Sequence, residues 1–400
     1  MDLRFSTEEL AFRDELRRFI RDNLPDDIRE RLQLGHKVEK PDIVRWQRIL
    51  NKKGWAAYNW PKEWGGPGWT PIQRMMFLEE IQTFPAPEVN PFNITMLGPV
   101  LIQFGSDEQK QRFLPRAANL DDWWCQGFSE PGAGSDLAAL KTAARRDGDH
   151  YIVNGQKIWT STAHIADWCF CLVRTNPQAA KRQEGISFLL IDMKTPGITV
   201  RPIISIDGEH HLNEVFFDDV KVPVEMRIYE ENKGWDVAKF LLGNERTGIA
   251  RLGKSKERVN FAKQKAREMR AHGKPLSEDP EFRRRIAALE TELKSLEITQ
   301  LRVLSAQKAG ERRQDPLTAV LKLKGTELLQ ATTELAMDVA GPLAMPDWAD
   351  ELEALSNEPE LGPVWATEAT RSYLFLRAAS IYGGTNEIMK NIVSKAVLGL

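Results

Sequence analysis

Phe128-Ser129-Glu130-Pro131-Gly132-Ala133-Gly134-Ser135-Asp136 is the stretch on which the fold turns. Two glycines and a proline make a stiff loop with hydroxyls at both ends. Backbone N–H groups in such a loop can approach a ligand closely. As a bare pattern it suits a tight helix-to-sheet connection equally well, so its meaning depends on what lies on either side.

Upstream, the chain reads as helix. Ser6 and Glu9 form a capping-box pattern ahead of Leu10, and Phe12, Leu16, Phe19 and Ile20 follow at helical spacing. Leu24-Pro25 stops that helix. A second begins near Pro41-Asp42, sets Ile43, Trp46, Ile49 and Leu50 on one face, and ends near Gly54. Asn59 to Pro71, rich in Trp, Gly and Pro, reads as loop. Helical patterns resume from Ile72 to about Ala118. Twelve Trp against five Tyr suit a helical core with amphipathic rims.

Downstream, the period changes. Tyr151–Val153, Trp168–Val173, Ser187–Ile191 and Val215–Val220 are β-branched or aromatic. Asp147-Gly148-Asp149, Asn154-Gly155 and Pro196-Gly197 are the turn signals expected to separate them. Strands divided by turns without intervening helices predict an antiparallel sheet or small barrel. Beyond about residue 229 helices return. Asp279-Pro280 and Asp315-Pro316 read as N-caps with proline at the first helical position. Leu289, Leu293, Leu296, Leu301 and Leu304 recur near helical spacing, as in the long antiparallel helices of a four-helix bundle. The acidic stretch between Leu343 and Pro363 reads as a solvated loop. The expected architecture is α+β and multi-domain: an N-terminal helical domain (1–122), a middle antiparallel β domain (123–228) and a C-terminal helical bundle (229–400).

Two further motifs carry chemistry. In Gln156-Lys157-Ile158-Trp159-Thr160-Ser161, an indole flanked by hydroxyls could cover a flat heteroaromatic ring while a hydroxyl bonds its edge. In Ile381-Tyr382-Gly383-Gly384-Thr385-Asn386-Glu387-Ile388, the glycine pair breaks one helix and Thr385 can cap the next. That leaves N–H groups at a helix start, suited to pyrophosphate or a developing enolate oxygen.

Composition narrows the classes. A formal net charge of −2 over 400 residues offers no basic surplus for nucleic acid. No apolar run approaches the roughly 20 residues of a membrane span, and the charged opening MDLRFSTEEL predicts no secretory leader. Cys125, Cys169 and Cys171 make neither a disulfide framework nor a metal-ligand set. His210-His211 is an adjacent pair that does not converge on one metal. The chain reads as a cytoplasmic enzyme.

Taken in order and spacing, and joined by Gly105-Ser106-Asp107-Glu108-Gln109-Lys110 with Leu114-Pro115, these motifs resemble the acyl-CoA dehydrogenase family along essentially the whole chain. The resemblance implies FAD as cofactor. It also implies removal of a proton α to a CoA thioester, coupled to hydride transfer from the β-carbon to flavin N5. Residue by residue, it implies that Gln126, Phe128, Ser129, Ser135, Trp159, Thr160 and Ser161 hold the flavin. Thr385, Asn386 and Glu387 would touch the cofactor from the other side. Ser135, Arg246, Gly383 and Gly384 would meet the acyl-CoA, and an electron-transfer flavoprotein would collect the electrons.

The departures are as informative. Many members place the catalytic glutamate directly after the tyrosine of the C-terminal turn, where this chain has Gly383. A minority place it on a helix of the C-terminal bundle before an arginine, and Asn244-Glu245-Arg246 stands there. An α-proton is weakly acidic, so its acceptor must be a carboxylate at contact distance in a dry site. Glu245 is therefore the expected base. The family's Arg-x-x-Phe-Gly appears as Met269-Arg270-Ala271-His272-Gly273, and its Gln-x-x-Gly-Gly as Asp338-Val339-Ala340-Gly341-Pro342. By resemblance, both serve a neighbouring subunit's FAD, and a carboxylate near pyrophosphate is repulsive. This predicts an α2β2 assembly with a homologous small subunit. Within the family the chain is most similar to large subunits of the pimeloyl-CoA dehydrogenase type, implying medium-chain or dicarboxylyl substrates. Sterol side-chain dehydrogenase subunits, desulfinase-type enzymes and non-catalytic partner subunits are the alternatives.

Overall fold

The computed structural model describes residues 4–34, 36–84, 86–306, 317–346 and 362–400. The side chains of residues 34, 244–249 and 306 lie outside that description. By spatial contacts the chain forms two compact units. One joins Met1–Trp46, Trp69–Glu88 and Arg246–Leu400; the other joins Gln47–Gly68 and Val89–Glu245. This division differs from the one by chain order at 122 and 228, because N-terminal helices bury their apolar faces against C-terminal ones.

The first unit is helical. Helix α1 (Thr7–Asn23) starts at the expected capping box: the Glu9 N–H donates to Ser6 Oγ and the Ser6 N–H to the Glu9 carboxylate. It stops at Leu24, as Pro25 requires. Helices α2 (Asp26–Leu34) and α3 (Lys40–Lys52) follow. Helix α4 (Pro71–Thr83) carries a second capping box, Thr70 with Gln73, and packs on α1 and on α8 (Leu252–Glu268). With α8, helices α9 (Pro280–Ala306), α10 (Leu317–Ala340) and Val364–Phe375 form the expected bundle around Val259, Leu293, Leu296, Leu321, Leu328, Leu335 and Trp365. Asp279 accepts the Phe282 N–H at 2.8 Å, as its cap reading predicts. Asp315-Pro316 and most of the acidic 343–363 stretch lie outside the described residues.

In the second unit, π turn Phe92–Leu97, α5 (Gly98–Phe104) and α6 (Asp107–Asn119) precede the sheet; α7 (Gly234–Ile249) follows it, its residues through Glu245 in this unit and the rest in the first. Ser106 and Gln109 cap α6, and Gln109 Nε2 also donates to the carbonyls of Glu225 and Arg227. Trp60 and Trp124 are fully buried, consistent with the core reading of the indoles. The strands are β1 (Trp124–Gly127), β2 (Ala143–Asp147), β3 (His150–Lys157), β4 (Trp168–Arg174), β5 (Ile186–Asp192), β6 (Ile198–Ile204), β7 (His210–Pro223) and β8 (Arg227–Ile228). Their order is β6-β7-β3-β2-β4-β5-β8, with β1 beside β4.

Two expectations about the sheet need correction. It is not wholly antiparallel: β1 runs parallel to β4, as does β2 at the single pair Ala143↔Arg174. Long connections, including the 128–136 loop and the β2–β3 hairpin, separate these strands and permit the parallel direction. Nor does Asn154-Gly155 separate strands. It lies within β3, where the pairing with β7 shifts register between Val153 and Gly155. Gly148, in contrast, turns the β2–β3 hairpin at φ +61°. Among the described residues, no helix is long and apolar enough to cross a membrane.

Candidate active site

The glycine loop and the Trp159 segment meet in the second unit. Ile158 N–H donates to Ser129 O at 2.9 Å. Beneath them, Lys157 is wholly buried and its Nζ donates to Glu130 Oε1 at 2.8 Å and Phe128 O at 3.1 Å. Glu130 also accepts the N–H groups of Lys141 and Thr142 at 2.6 and 2.9 Å. Burial alone would raise the Glu130 carboxyl, but Lys157 and these N–H donors hold it below the usual carboxylate range. The two motifs are thus locked by a buried ion pair that sequence reasoning did not assign. Its signal was one charge inside each motif, opposite in sign.

The expected flavin residues do not all play alike. The Trp159 indole is 56% exposed and its backbone takes φ +59°, a costly conformation for a bulky residue. Thr160, beside it, is buried with its Oγ1 lacking any hydrogen-bond partner. An uncovered indole and an orphaned hydroxyl fit the face and edge of a flavin, as the resemblance implies. Ser161 and Ser129 are half-buried, Ser135 is exposed, and Gln126 is half-buried on β1. The Phe128 ring is instead core, edge-on to Phe170 and Phe188 at 6.0 and 6.1 Å, and its carbonyl is taken by Lys157.

The C-terminal turn belongs to the first unit. Gly383 and Gly384 take φ +64° and +91°, the left-handed region that favours glycine. Neither of their N–H groups donates to a protein acceptor among the described residues. Thr385 caps the helix Asn386–Val393, accepting Ile388 N–H at 3.2 Å. Asn386 Oδ1 is held by the buried Lys322 Nζ at 3.2 Å, and Glu387 is exposed. Glu245 and Arg246 are consecutive residues near the end of α7, and their side chains lie outside the described residues.

The two altered neighbour-facing motifs are both engaged within the chain. Asp338 pairs with Arg285 at 2.6 Å. Arg270 sits in a two-stranded ribbon turned at His272 and Gly273, and its Nη1 donates to Gly273 O at 3.1 Å. His210 stacks on His164, with ring centroids 3.9 Å apart, and His211 pairs with Asp207. A recess of about 350 Å³ lined by Arg112, Phe113, Arg116, Asp122 and Trp168 contains none of the candidate residues.

Family profiles for the N-terminal, middle and C-terminal domains of acyl-CoA dehydrogenase match residues 6–121, 125–220 and 232–398. The chain is 36% identical, over 97% of its own length and 97% of the relative's, to acyl-CoA dehydrogenase IpdE1 of Mycobacterium tuberculosis. It is similar to a chain of the ChsE4-ChsE5 complex from Mycobacterium tuberculosis, at 32% identity and TM-score 0.83, covering 100% of this chain and 99% of that one. It is also similar to the Tcur3481-Tcur3483 steroid ACAD, at 28% identity and TM-score 0.85, with the same coverage. Near-complete coverage by three successive domain profiles, on a fold that brings the glycine loop and the indole segment together, makes this chain a member of the acyl-CoA dehydrogenase family, an FAD-dependent oxidoreductase of acyl-CoA thioesters.

Proposed function

We propose that the chain catalyses α,β-desaturation of a sterol-derived acyl-CoA, with Glu245 as base, as the larger subunit of a two-chain assembly that passes electrons to an electron-transfer flavoprotein. The observation that carries the substrate reading is the full-length likeness to a steroid enzyme. It favours the sterol reading over the pimeloyl-type one, the other substrate class considered. The presence of two differently named chains in that structure and in the ChsE4-ChsE5 complex supports the two-chain assembly.

The thioester carbonyl is received by the Gly383 N–H, which has no acceptor among the described residues to give up and costs no rearrangement when charge develops on the oxygen. Glu245 takes the α-proton; an acyl group covering it would remove water and raise its pKa toward that of the polarised substrate. Bound FAD supplies a two-electron acceptor for the hydride leaving the β-carbon. Trp159 covers the ring, Thr160 and Ser161 bond its edge, and Ser135 and Arg246 orient the acyl-CoA. Gly383 cannot accept a proton, so the usual position of the base is closed in this chain.

The test is anaerobic titration of the flavin-loaded assembly with sterol-derived, pimeloyl and medium-chain acyl-CoAs. Bleaching of the oxidised flavin band at the lowest concentration by a sterol-derived ester is the expected result. Preference for a medium-chain ester overturns the substrate reading, and no bleaching by any ester overturns desaturation.

A further inference from the structure

The segment that carries the indole is bounded by two residues with unusual backbone. Trp159 and Thr162 take φ +59° and +57°, in the left-handed region, and such residues persist only where their surroundings over-determine them. The β3–β7 ladder last pairs Lys157 with Val215, and the Ile158 N–H goes to Ser129 O instead. The chain then returns to β7. There the Thr160 N–H donates to Asn213 O at 3.0 Å and the Thr162 N–H to His211 O at 2.9 Å. The Thr160 carbonyl in turn accepts from Asn213 Nδ2 at 3.0 Å. Both backbone groups of Thr160 therefore end on one residue.

Asn213 is fully buried, so the polar atoms of its amide depend on protein partners. A carbonyl only accepts, so the Thr160 oxygen fixes which way the amide faces. The second Nδ2 hydrogen then goes to His164 Nδ1 at 3.2 Å, and Oδ1 accepts from His210 Nε2 at 2.7 Å. The two imidazoles stack on each other with centroids 3.9 Å apart, so both ends of the amide are held by one pair of rings. An aliphatic residue at 213 would keep the strand and its backbone bond to the Thr160 N–H. It would remove the donor to the Thr160 carbonyl and the partner of both rings.

Thr160 Oγ1 is buried without a hydrogen-bond partner, on a residue whose backbone is bonded on both sides. The exposed Trp159 indole directly precedes it. Where a hydroxyl meets a ligand's edge and a ring covers its face is set by the backbone that carries them, so a residue that locks that backbone pre-organises both. Accepting that Trp159 and Thr160 meet the flavin, we infer that Asn213 is a positioning residue for FAD. It acts through the Thr160 backbone and sets where the Thr160 hydroxyl and the Trp159 indole stand. His164 and His210 hold the amide in the orientation this requires.

The test uses the FAD-loaded assembly. Flavin fluorescence on dilution gives the Kd of FAD, and the shape of the oxidised flavin band reports the ring's surroundings. Asn213→Asp keeps the side chain's size but sets an acceptor against the Thr160 carbonyl, and Asn213→Ala removes the amide. Each is expected to weaken FAD about tenfold and to change the band, as is Thr160→Val, which removes only the hydroxyl. Because Asn213 acts through Thr160, the double variant Asn213→Ala/Thr160→Val falls well short of the roughly hundredfold product of the single effects. Where the Asn213 variants do not fold, His210→Phe keeps a stacking ring, removes the donor to Oδ1 and is expected to weaken FAD about threefold. A wild-type Kd and band in the folded variants overturns the inference. So do single effects that simply multiply, which is the result of a general loosening of the fold. If Thr160→Val and Trp159→Ala both leave Kd and band unchanged, the flavin placement itself fails and the inference falls with it.

Discussion

At the scale of single residues, charge placement decides both stability and chemistry. Lys157 and Glu130 are buried together, so removing one partner leaves an uncompensated charge in a dry interior. Lys157→Met is expected to destabilise the fold by about 3–5 kcal/mol, read from denaturant unfolding. Because the folded Glu130 carboxyl lies below its ordinary range, its contribution is complete above the unfolded value of about 4.3 and is lost as pH falls through the folded one. Thermal melts should therefore lose stability below about pH 4 in the wild type. In Lys157→Met this part of the acid dependence should disappear. Gly383 offers a contrast: at φ +64° its backbone lies in the left-handed region that favours glycine, so a side chain placed there is strained.

At the scale of elements, close approach is the recurrent device. A Cβ on Gly98 would stand 2.1 Å from the fully buried Trp60 ring, whose Nε1 donates to Ile94 O at 2.7 Å. Gly98→Ala must displace that indole and is expected to cost about 1–3 kcal/mol, measured as a lower denaturant midpoint. In the bundle, a Cβ on Gly325 would meet Ala250 Cα at 2.5 Å, which is how α10 approaches the start of α8 so closely. The helices were legible from sequence because their signals are local: the Ser6–Glu9 pair, Leu24-Pro25 and Asp279-Pro280 act within one or two turns. The parallel partner of β1 was not legible, since nothing between residues 124 and 127 records that residues 168–171 will lie beside them. Asn154-Gly155 misled for a related reason. Turn-forming residues also suit a bulge, and only the pairing of β3 with β7 decides between the two.

At the scale of the whole molecule, the segments that the resemblance assigns to the flavin fall in both compact units, while the residues it assigns to a neighbouring subunit are occupied internally. Asp338 is tied to Arg285 and Arg270 is folded into its own ribbon. An assembly with the proposed homologous partner should therefore contain about two FAD per tetramer, and not four. Absorbance at the flavin band against total protein, combined with mass by light scattering, checks this; four FAD in a homotetramer of this chain would refute it. The glycine loop, the indole segment and the C-terminal turn were legible because their residue types are tied to backbone geometry. The buried Glu130–Lys157 lock was not, because a charge in a sequence does not say whether it will face water.

Glu245 is the hinge of the whole reading, and stopped-flow reduction of the flavin by saturating substrate tests it most directly, comparing the wild type with Glu245→Gln. The expected result is full flavin loading in both, with reduction slowed about 10²–10⁴-fold in the variant. A variant reduced at the wild-type rate would place the proton acceptor elsewhere and contradict the assignment.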